Sequence, residues 1–282
     1  MGRFEGKVAI ITGGARGQGR AHAQRLSAEG ADIVIGDILD DIPTAVYKLA
    51  TAEDLAETVS LVEANGARVQ TMQLDVRDAA RVDDLFDLAI DEFGRVDFVV
   101  ANAGVGSECV PLSALTDAAW QDIVSINLTG VMNTMRAAAR RMLDLKQGGR
   151  IIATASVAGK SAYEHTAAYT ASKWGVIGLV KVAAQELGRH GITVNAVCPG
   201  TCNTKMIDNQ SFYDLFRPDL APGTATVEDM KAILSTMQAI PVPWVEPEDV
   251  AAAVAFLCSD DAHLISGVAL DVAAGWSTRY PA

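Results

Sequence analysis

Tyr169 and Lys173, four positions apart, are the residues best suited to acid–base chemistry. At this spacing on a helix they share one face, so the lysine ammonium can favour the phenolate form of the tyrosine. An unperturbed phenol has a pKa of about 10 and is mostly protonated at neutral pH, so a tyrosine that removes a proton needs such help. Ser156, earlier in the chain, offers a hydroxyl that can hold a substrate oxygen beside Tyr169. The three residues together predict proton transfer at an alcohol or carbonyl group.

A glycine-rich turn near the start of the chain predicts a phosphate site. An apolar run ends at Thr12 and is followed by Gly13-Gly14-Ala15-Arg16-Gly17-Gln18-Gly19, which opens into a helical pattern. Without side chains in the way, backbone N–H groups and the positive end of the helix can approach a pyrophosphate. The turn therefore favours a dinucleotide cofactor.

Asp37 and Arg16 bear on which dinucleotide binds. Asp37 ends the second apolar run, where a carboxylate accepts hydrogen bonds from the ribose hydroxyls of NAD and repels the 2′-phosphate of NADP. Arg16 keeps NADP as an alternative cofactor, since its guanidinium could pair with that phosphate. Arg16 could also be exposed to solvent or form a local salt bridge. We expect NAD, because Asp37 would face the 2′ position directly.

Seven apolar runs alternate with stretches of helical periodicity, the pattern of repeated β-α units. The predicted strands are 8–12, 32–36, 69–74, 96–101, 150–155, 193–198 and 268–272. The predicted helices are 17–29, 51–65, 79–93, 117–142, 167–190 and 247–258. Because the strands are almost continuously apolar, we expect helices on both faces of the sheet. The sequence therefore predicts an α/β fold with a doubly wound seven-stranded parallel sheet (a Rossmann fold), in a single domain that spans residues 1–282.

Two segments interrupt this alternation. Residues 38–50 form a longer connection than the usual ~2–6 residues and directly follow Asp37, so we interpret them as an insertion over the cofactor site. A longer loop with no effect on the cofactor is the alternative. Residues 201–245 are rich in Met and aromatic side chains, and we expect them to form a partly helical lid over a substrate pocket. They could instead be a surface excursion that packs its aromatic side chains into the core.

The composition excludes several classes of function. The chain has 282 residues, half of them apolar, and a formal net charge of −12, so nucleic acid and anionic membrane are poor partners. No apolar stretch approaches the ~20 residues that cross a bilayer, and no signal-peptide pattern begins the chain, so we expect a cytoplasmic protein. Four cysteines and four histidines are scattered without metal-ligand spacing, so we expect no bound metal.

From its TGxxxGxG turn onward, the chain resembles the short-chain dehydrogenase/reductase family. The resemblance continues in chain order through Asp75-Val76, Asn102-Ala103-Gly104, Asn127, Ser156, Tyr169 to Lys173, Pro199-Gly200 and Gly267. It covers almost the whole chain and implies a Rossmann fold and hydride transfer to or from a nicotinamide cofactor.

The resemblance also implies roles for the matching residues. Asp75 would bond the adenine amino group, Thr204 the nicotinamide carboxamide, and Asn127 would anchor a water that links Lys173 to solvent. Cys202 stands where the family commonly has a branched aliphatic residue. The backbone of Cys202 could still make the expected cofactor contact. The expected catalytic residues are Asn127, Ser156, Tyr169 and Lys173. The expected cofactor contacts are Gly13, Arg16, Gly17, Gln18, Gly19, Asp37, Asp75, Val76, Asn102, Ala103, Gly104, Tyr169, Lys173, Pro199, Gly200, Cys202 and Thr204.

The insertion and two flanking patterns resemble a narrower group within this family. Together with residues 50–59 and 241–249, the insertion is similar to the mycofactocin-coupled subfamily, which includes carveol dehydrogenase-like proteins. That resemblance implies an NAD that stays bound and is reoxidised by a peptide-derived redox partner. Family resemblance also implies a homotetramer.

These observations predict an NAD-dependent oxidoreductase that interconverts a hydrophobic secondary alcohol, such as the terpenoid carveol, and its ketone. A freely exchanging NAD(P)H-dependent ketoreductase of the same family is the first alternative. A dinucleotide-binding redox sensor without catalytic activity is the second, although the presence of both Tyr169 and Lys173 argues against it.

Overall fold

The computed structural model describes residues 2–279, and seven parallel strands form its single sheet. The strands are β1 Val8–Thr12, β2 Asp32–Asp37, β3 Val69–Gln73, β4 Phe98–Ala101, β5 Gly149–Thr154, β6 Ile192–Pro199 and β7 Ala269–Val272. The helices are α1 Gly17–Ala28, α2 Ala52–Ala64, α3 Ala79–Phe93, α4 Asp117–Val124, α5 Val131–Leu145, α6 Ala167–Leu187, α7 Gln210–Phe216, α8 Val227–Met237 and α9 Pro247–Cys258. The predicted fold class, a doubly wound parallel sheet in one domain, is confirmed.

Helices cover both faces of the sheet because its strands are apolar on both sides. Every residue of β1 and of β6 is buried. One core cluster includes Phe86 and Met142, from α3 and α5, and the other includes Leu26 and Leu257, from α1 and α9. Two separate cores on opposite faces explain why the strand sequences do not alternate between apolar and polar residues.

The strand order, β3-β2-β1-β4-β5-β6-β7, reverses direction at β1. β1 pairs with β2 on one side and with β4 on the other. In open parallel sheets, ligands bind outside the carboxyl ends of the strands at such a reversal. The loops that follow β1, β2, β4, β5 and β6 therefore meet at one place.

The long helix predicted over 117–142 is interrupted. A π turn, Ser125–Gly130, separates α4 from α5. Within it Gly130 lies against the loop after β3, where a Cβ atom would lie 2.4 Å from Cγ2 of Val76. Other differences are small: β4 begins at Phe98, and the helix predicted to reach residue 190 ends at Leu187, followed by a 3₁₀ turn.

Segment 201–245 contains the helices α7 and α8. Its ends are held together where Cys202 and Val245 form an isolated parallel bridge. Its apolar side chains form a small cluster around Met230 and Leu234, separate from the two main cores. Across residues 2–279, no helix combines the length and the apolar character that a membrane crossing requires.

Candidate cofactor and active site

One cavity of about 760 Å³ runs from the glycine turn to the segment 201–245. All of the predicted cofactor-binding and catalytic residues except Asn127 line it. They lie at the carboxyl ends of the strands β1 to β6, in the loops that follow these strands, and in the first turns of α1 and α6. The reversal of strand order at β1 explains why residues far apart in sequence meet here.

The glycine turn has the geometry of an anion cradle. Gly13 and Gly17 have φ angles of +66° and +56°, which favour glycine. A Cβ atom on Gly19 would lie 1.9 Å from the carbonyl oxygen of Gly13, so only glycine fits there. No side chain caps α1, which leaves its first N–H groups open. The Oε1 atom of Gln18 is buried and has no hydrogen-bond partner within the described chain. These features fit a bound pyrophosphate.

The peptide of Ala15 joins the glycine turn to two other segments. Its N–H donates to the Oδ2 atom of Asp37 at 2.9 Å. Its carbonyl oxygen accepts from Arg20 at 3.1 Å and from Thr58 of α2 at 2.7 Å. Burial raises the pKa of Asp37, and hydrogen bonds from backbone N–H groups, including that of Ala15, oppose this shift. The carboxylate is thus fixed beside the glycine turn.

Arg16 forms local contacts with the segment that follows β2. One guanidinium nitrogen lies 3.8 Å from a carboxylate oxygen of Asp54, and another donates to the carbonyl oxygen of Lys48. The sequence left three roles open for Arg16: pairing with the phosphate of NADP, exposure to solvent, or a local salt bridge. The structure contains the local salt bridge.

The loops after β3 and β4 supply the next part of the cavity. Arg77 donates to both carboxylate oxygens of Asp75. Although burial opposes it, the contacts with Arg77 hold the pKa of Asp75 below its usual value, so this carboxylate stays ionised. The amide nitrogen of Asn102 donates to the carbonyl oxygens of Thr12 and Gly13, at 3.2 and 3.0 Å. Asn102 therefore ties β4 to the glycine turn.

Ser156 follows the carboxyl end of β5, and Tyr169 and Lys173 lie in the first two turns of α6. The hydroxyl of Ser156 accepts from the N–H of Ala158 at 3.1 Å, and the influence of Ser156 lowers the pKa of the Tyr169 phenol. The ammonium nitrogen of Lys173 lies 5.6 Å from the centre of the Tyr169 ring. It donates to the carbonyl oxygen of Thr154 at 2.8 Å. Sequence reasoning had no signal for this last contact, since it involves backbone.

Burial dominates the acid–base properties of this cluster. It raises the pKa of Tyr169 to about 12, against an opposing hydrogen bond from Ser156. It lowers the pKa of Lys173 to about 8. The sequence argument expected Lys173 to lower the pKa of Tyr169. In the protein alone the shift is upward, because loss of hydration penalises both charged forms.

Asn127 lies in the π turn and is fully buried. Its side-chain oxygen accepts from the N–H of Val105 at 2.8 Å, and its side-chain nitrogen donates to the carbonyl oxygen of Val105 at 2.9 Å. Both polar atoms of the side chain are thus used to hold the loop after β4.

The loop after β6 closes the cofactor end of the cavity. A Cβ atom on Gly17 would lie 3.3 Å from the methyl group of Thr204, so Thr204 rests against the glycine turn. The bridge to Val245 uses the carbonyl of Thr201 and the N–H of Asn203, which leaves the backbone groups of Cys202 outside it. Burial raises the pKa of the Cys202 thiol to about 12, so it is not a thiolate at neutral pH.

The segment 38–50 is docked onto the rest of the molecule. Its Thr44 donates to a carboxylate oxygen of Asp122 in α4 at 2.8 Å. The hydroxyl of Tyr47 accepts from the N–H of Gly106 at 3.2 Å, and Tyr47 lines the cavity. Sequence reasoning did not identify Tyr47 as a site residue, because only its place in the insertion drew attention to it.

Comparison with known proteins identifies relatives over the full length. Residues 7–212 match the short chain dehydrogenase family. The (-)-trans-carveol dehydrogenase of Rhodococcus erythropolis is 42% identical and covers 99% of this chain and 100% of its own. The crystal structure of carveol dehydrogenase from Mycobacterium avium in complex with NAD has a TM-score of 0.95 and 46% identity, covering 99% of this chain and 100% of that one. A short chain dehydrogenase from Mycobacterium paratuberculosis bound to NAD has a TM-score of 0.89 and 38% identity, with coverage of 99% and 100%.

Proposed function

Because the chain belongs to the short-chain dehydrogenase family of oxidoreductases, we propose that it uses NAD to interconvert a hydrophobic secondary alcohol and its ketone. The observation that carries the proposal is the single cavity that has the glycine turn and Asp37 at one end and Ser156, Tyr169 and Lys173 further along. This arrangement fits hydride transfer, since a dinucleotide and an alcohol can then meet within one cavity.

The choice of NAD is supported by Asp37, whose carboxylate is held beside the glycine turn, and by the NAD found in two similar crystal structures. When bound, NAD accepts the hydride from the carbon of the alcohol. The open N–H groups at the start of α1 would hold its pyrophosphate, and Asp37 its adenosine ribose.

Tyr169 is the acid–base residue in this proposal. The hydroxyl of Ser156 holds the substrate oxygen beside the phenol, and Tyr169 takes the alcohol proton during oxidation or returns it during reduction. With its pKa near 12, the phenol is almost entirely protonated at neutral pH in the protein alone. A positive charge beside it favours the phenolate, so the cationic nicotinamide ring of bound NAD, together with Lys173, would make Tyr169 a competent base.

Lys173 is placed to move the proton away from the phenol. Its pKa near 8 lets it exchange a proton close to neutral pH, and Thr154 fixes its nitrogen. The main-chain carbonyl of Asn127, in the π turn, is our proposed anchor for the water that connects Lys173 to solvent. The side chain of Asn127 has the structural task of holding Val105.

The cavity favours an apolar substrate. The side chains that segment 201–245 contributes to its lining include Met206, Phe212, Phe216, Met230 and Trp244. Such a pocket offers little to a charged molecule. With the carveol dehydrogenases among its relatives, we propose a cyclic terpenoid alcohol such as carveol as the substrate class.

We further propose that NAD is held tightly and does not exchange during turnover. The insertion contacts the molecule at several points around the cofactor end of the cavity: Asp122, Gly106 and Arg16 each bind one of its residues. A retained NAD must be reoxidised in place, for which a mycofactocin-type redox partner is our proposal. A freely exchanging enzyme of the same family is the alternative.

Exposed apolar residues support a homotetramer. On α6, Trp174 and Val182 keep 53% and 56% of their surface exposed, and a Cβ atom on Gly178 between them would meet nothing within 4 Å. These positions lie on one helix face. Leu264 and Val268, near β7, form a second exposed apolar region. We propose that copies of this chain cover both.

The test combines cofactor analysis with a substrate screen. Protein purified without added cofactor is denatured, and the released dinucleotide is identified by chromatography. Cyclic secondary alcohols are then oxidised with an artificial electron acceptor in place of free NAD. We expect bound NAD and turnover of carveol-like alcohols. A cofactor-free preparation that oxidises alcohols only with added NAD would support the freely exchanging alternative, and a protein that binds no dinucleotide would overturn the proposal.

A further inference from the structure

The contact between Arg16 and Asp54 joins the glycine turn to the first turn of α2. Both side chains line the cavity together with Asp37, and the charge of Arg16 acts on Asp37. The side chains of Arg16 and Asp54 are 23% and 29% exposed, so the pair is only partly screened by water. A carboxylate of α2 thus neutralises the cation of the glycine turn.

The neighbouring arginine cannot take its place. The Nε atom of Arg20 donates to Thr58 at 2.9 Å, and its Nη2 atom donates to the carbonyl oxygens of Ala15 and Asp54. The Asp54 carboxylate is shared, since Nη2 of Arg20 also lies 3.7 Å from its Oδ1 atom, but Arg20 has a second carboxylate, that of Glu57, 2.7 Å from its Nη1 atom. Arg16 has fewer contacts: it donates to the carbonyl oxygen of Lys48, and within the described residues Asp54 is the carboxylate that pairs with it. It is therefore the arginine of this region whose pairing can change.

We propose that Asp54 is a second determinant of cofactor choice, acting through Arg16. Asp37 repels the 2′-phosphate of NADP, and Asp54 occupies the guanidinium that would otherwise pair with that phosphate. The inference rests on the proposed use of NAD. It implies that removal of Asp37 alone produces only a partial change towards NADP, because the cation needed to bind the phosphate stays neutralised.

The two carboxylates are separable by substitution. Asp37→Ala removes the repulsion, and Asp54→Asn removes the charge that neutralises Arg16 while keeping an amide of similar shape. Each protein is dialysed at low ionic strength against equal concentrations of NAD and NADP until the bound dinucleotides no longer change, and the dinucleotides held in excess over the dialysate are released by denaturation. Chromatography of the released dinucleotides gives the ratio of bound NADP to bound NAD, independently of turnover.

The expected ratios follow from the charges. Wild type and Asp54→Asn should retain NAD, because Asp37 still repels NADP. Asp37→Ala should retain a mixture. Asp37→Ala/Asp54→Asn should raise the ratio of NADP to NAD at least fivefold above Asp37→Ala, and adding Arg16→Ala should abolish that gain.

A matched control separates the charge of Asp54 from its structural role. Asp54 also caps α2 in a reciprocal pair with Thr51, whose N–H donates to its carboxylate at 3.0 Å. Asp37→Ala/Thr51→Ala disturbs the same cap without removing the carboxylate, so its ratio should equal that of Asp37→Ala. An unchanged ratio in the Asp54→Asn double variant, or a gain that persists without Arg16, would overturn the inference. Wild-type protein that binds neither dinucleotide at equilibrium would overturn the proposed function instead.

Discussion

The ammonium group of Lys173 donates to the carbonyl oxygen of Thr154 at 2.8 Å, inside a cavity that leaves the lysine only 3% exposed. A charged lysine at this depth costs stability, and its lowered pKa of about 8 records that cost. Burial of the charged Lys173 therefore lowers the stability of the fold, while the proposed proton transfer needs this lysine.

Replacing Lys173 by Met should stabilise the protein in a pH-dependent way. In the unfolded chain the lysine has its ordinary pKa of 10.5, so the lysine is least destabilising above that pH. The cost of burying it grows as pH falls from 10.5 to about 8 and is fully present below that. Relative to wild type, the free energy of unfolding of Lys173→Met should fall by about 2–3 kcal/mol between pH 7 and pH 10. Denaturant unfolding at both pH values measures this. Lys181→Met, on the exposed side of α6, is the control, and equal pH dependence in all three proteins would contradict the prediction.

His22, on α1, should make the protein sensitive to acid. It is fully buried, and burial lowers its pKa from 6.5 to about 3. The neutral ring thus contributes stability above pH 6.5 that is lost as pH falls towards 3. Between pH 7 and pH 4.5, His22→Leu should gain about 2–3 kcal/mol relative to wild type in the free energy of unfolding. His190→Leu, at an exposed position, should gain nothing; a similar gain there would mean that His22 is not the cause.

The contacts of the insertion, residues 38–50, predict that it slows the release of NAD. Tyr47→Ala removes the hydroxyl that binds the N–H of Gly106, so the insertion should open more often and NAD should leave about tenfold faster. The measurement is the loss of bound NAD during dilution, followed by rapid desalting. Lys48→Ala is the matched control, because that side chain is 90% exposed. Equal release from both variants and wild type would show that the insertion does not retain NAD.

The apolar face of α6 predicts the response of the oligomer. Val182→Glu places a charge on a face that we expect another copy to cover, so sedimentation velocity should detect species smaller than a tetramer. Leu112→Glu, at another site with 75% exposure, should leave the assembly unchanged. A wild-type monomer, or a Val182→Glu tetramer, would exclude this interface.

Much of the fold and of the site follows from sequence because a parallel sheet gathers the ends of its strands. Once Asp37, Asn102 and Ser156 are placed at the carboxyl ends of β2, β4 and β5, their proximity needs no further information. Continuous apolar runs likewise require helices on both faces. The sequence therefore predicts where the site residues lie in the fold, but it does not predict which atoms they contact.

The contacts themselves depend on side-chain directions that no local pattern specifies. Arg16 pairs with Asp54 of another helix, and Asn127 turns its side chain to the backbone of Val105. The π turn coincides with a tertiary contact, the close approach of Gly130 to Val76. The direction of the pKa shift of Tyr169 was missed for a related reason, since residue spacing reports nearby charge and not the loss of hydration.

The central claim is that Tyr169 transfers the proton when an alcohol is oxidised by bound NAD. The most direct measurement is the single-turnover formation of bound NADH in Tyr169→Phe, with a cyclic secondary alcohol as substrate. The matched control is Tyr213→Phe, which loses another phenol hydroxyl of the same cavity, one that donates to Asp208 of segment 201–245. We predict a loss of about 10³-fold or more for Tyr169→Phe, with its NAD content unchanged, and near wild-type rates for the control. Substantial NADH formation by Tyr169→Phe would contradict the account.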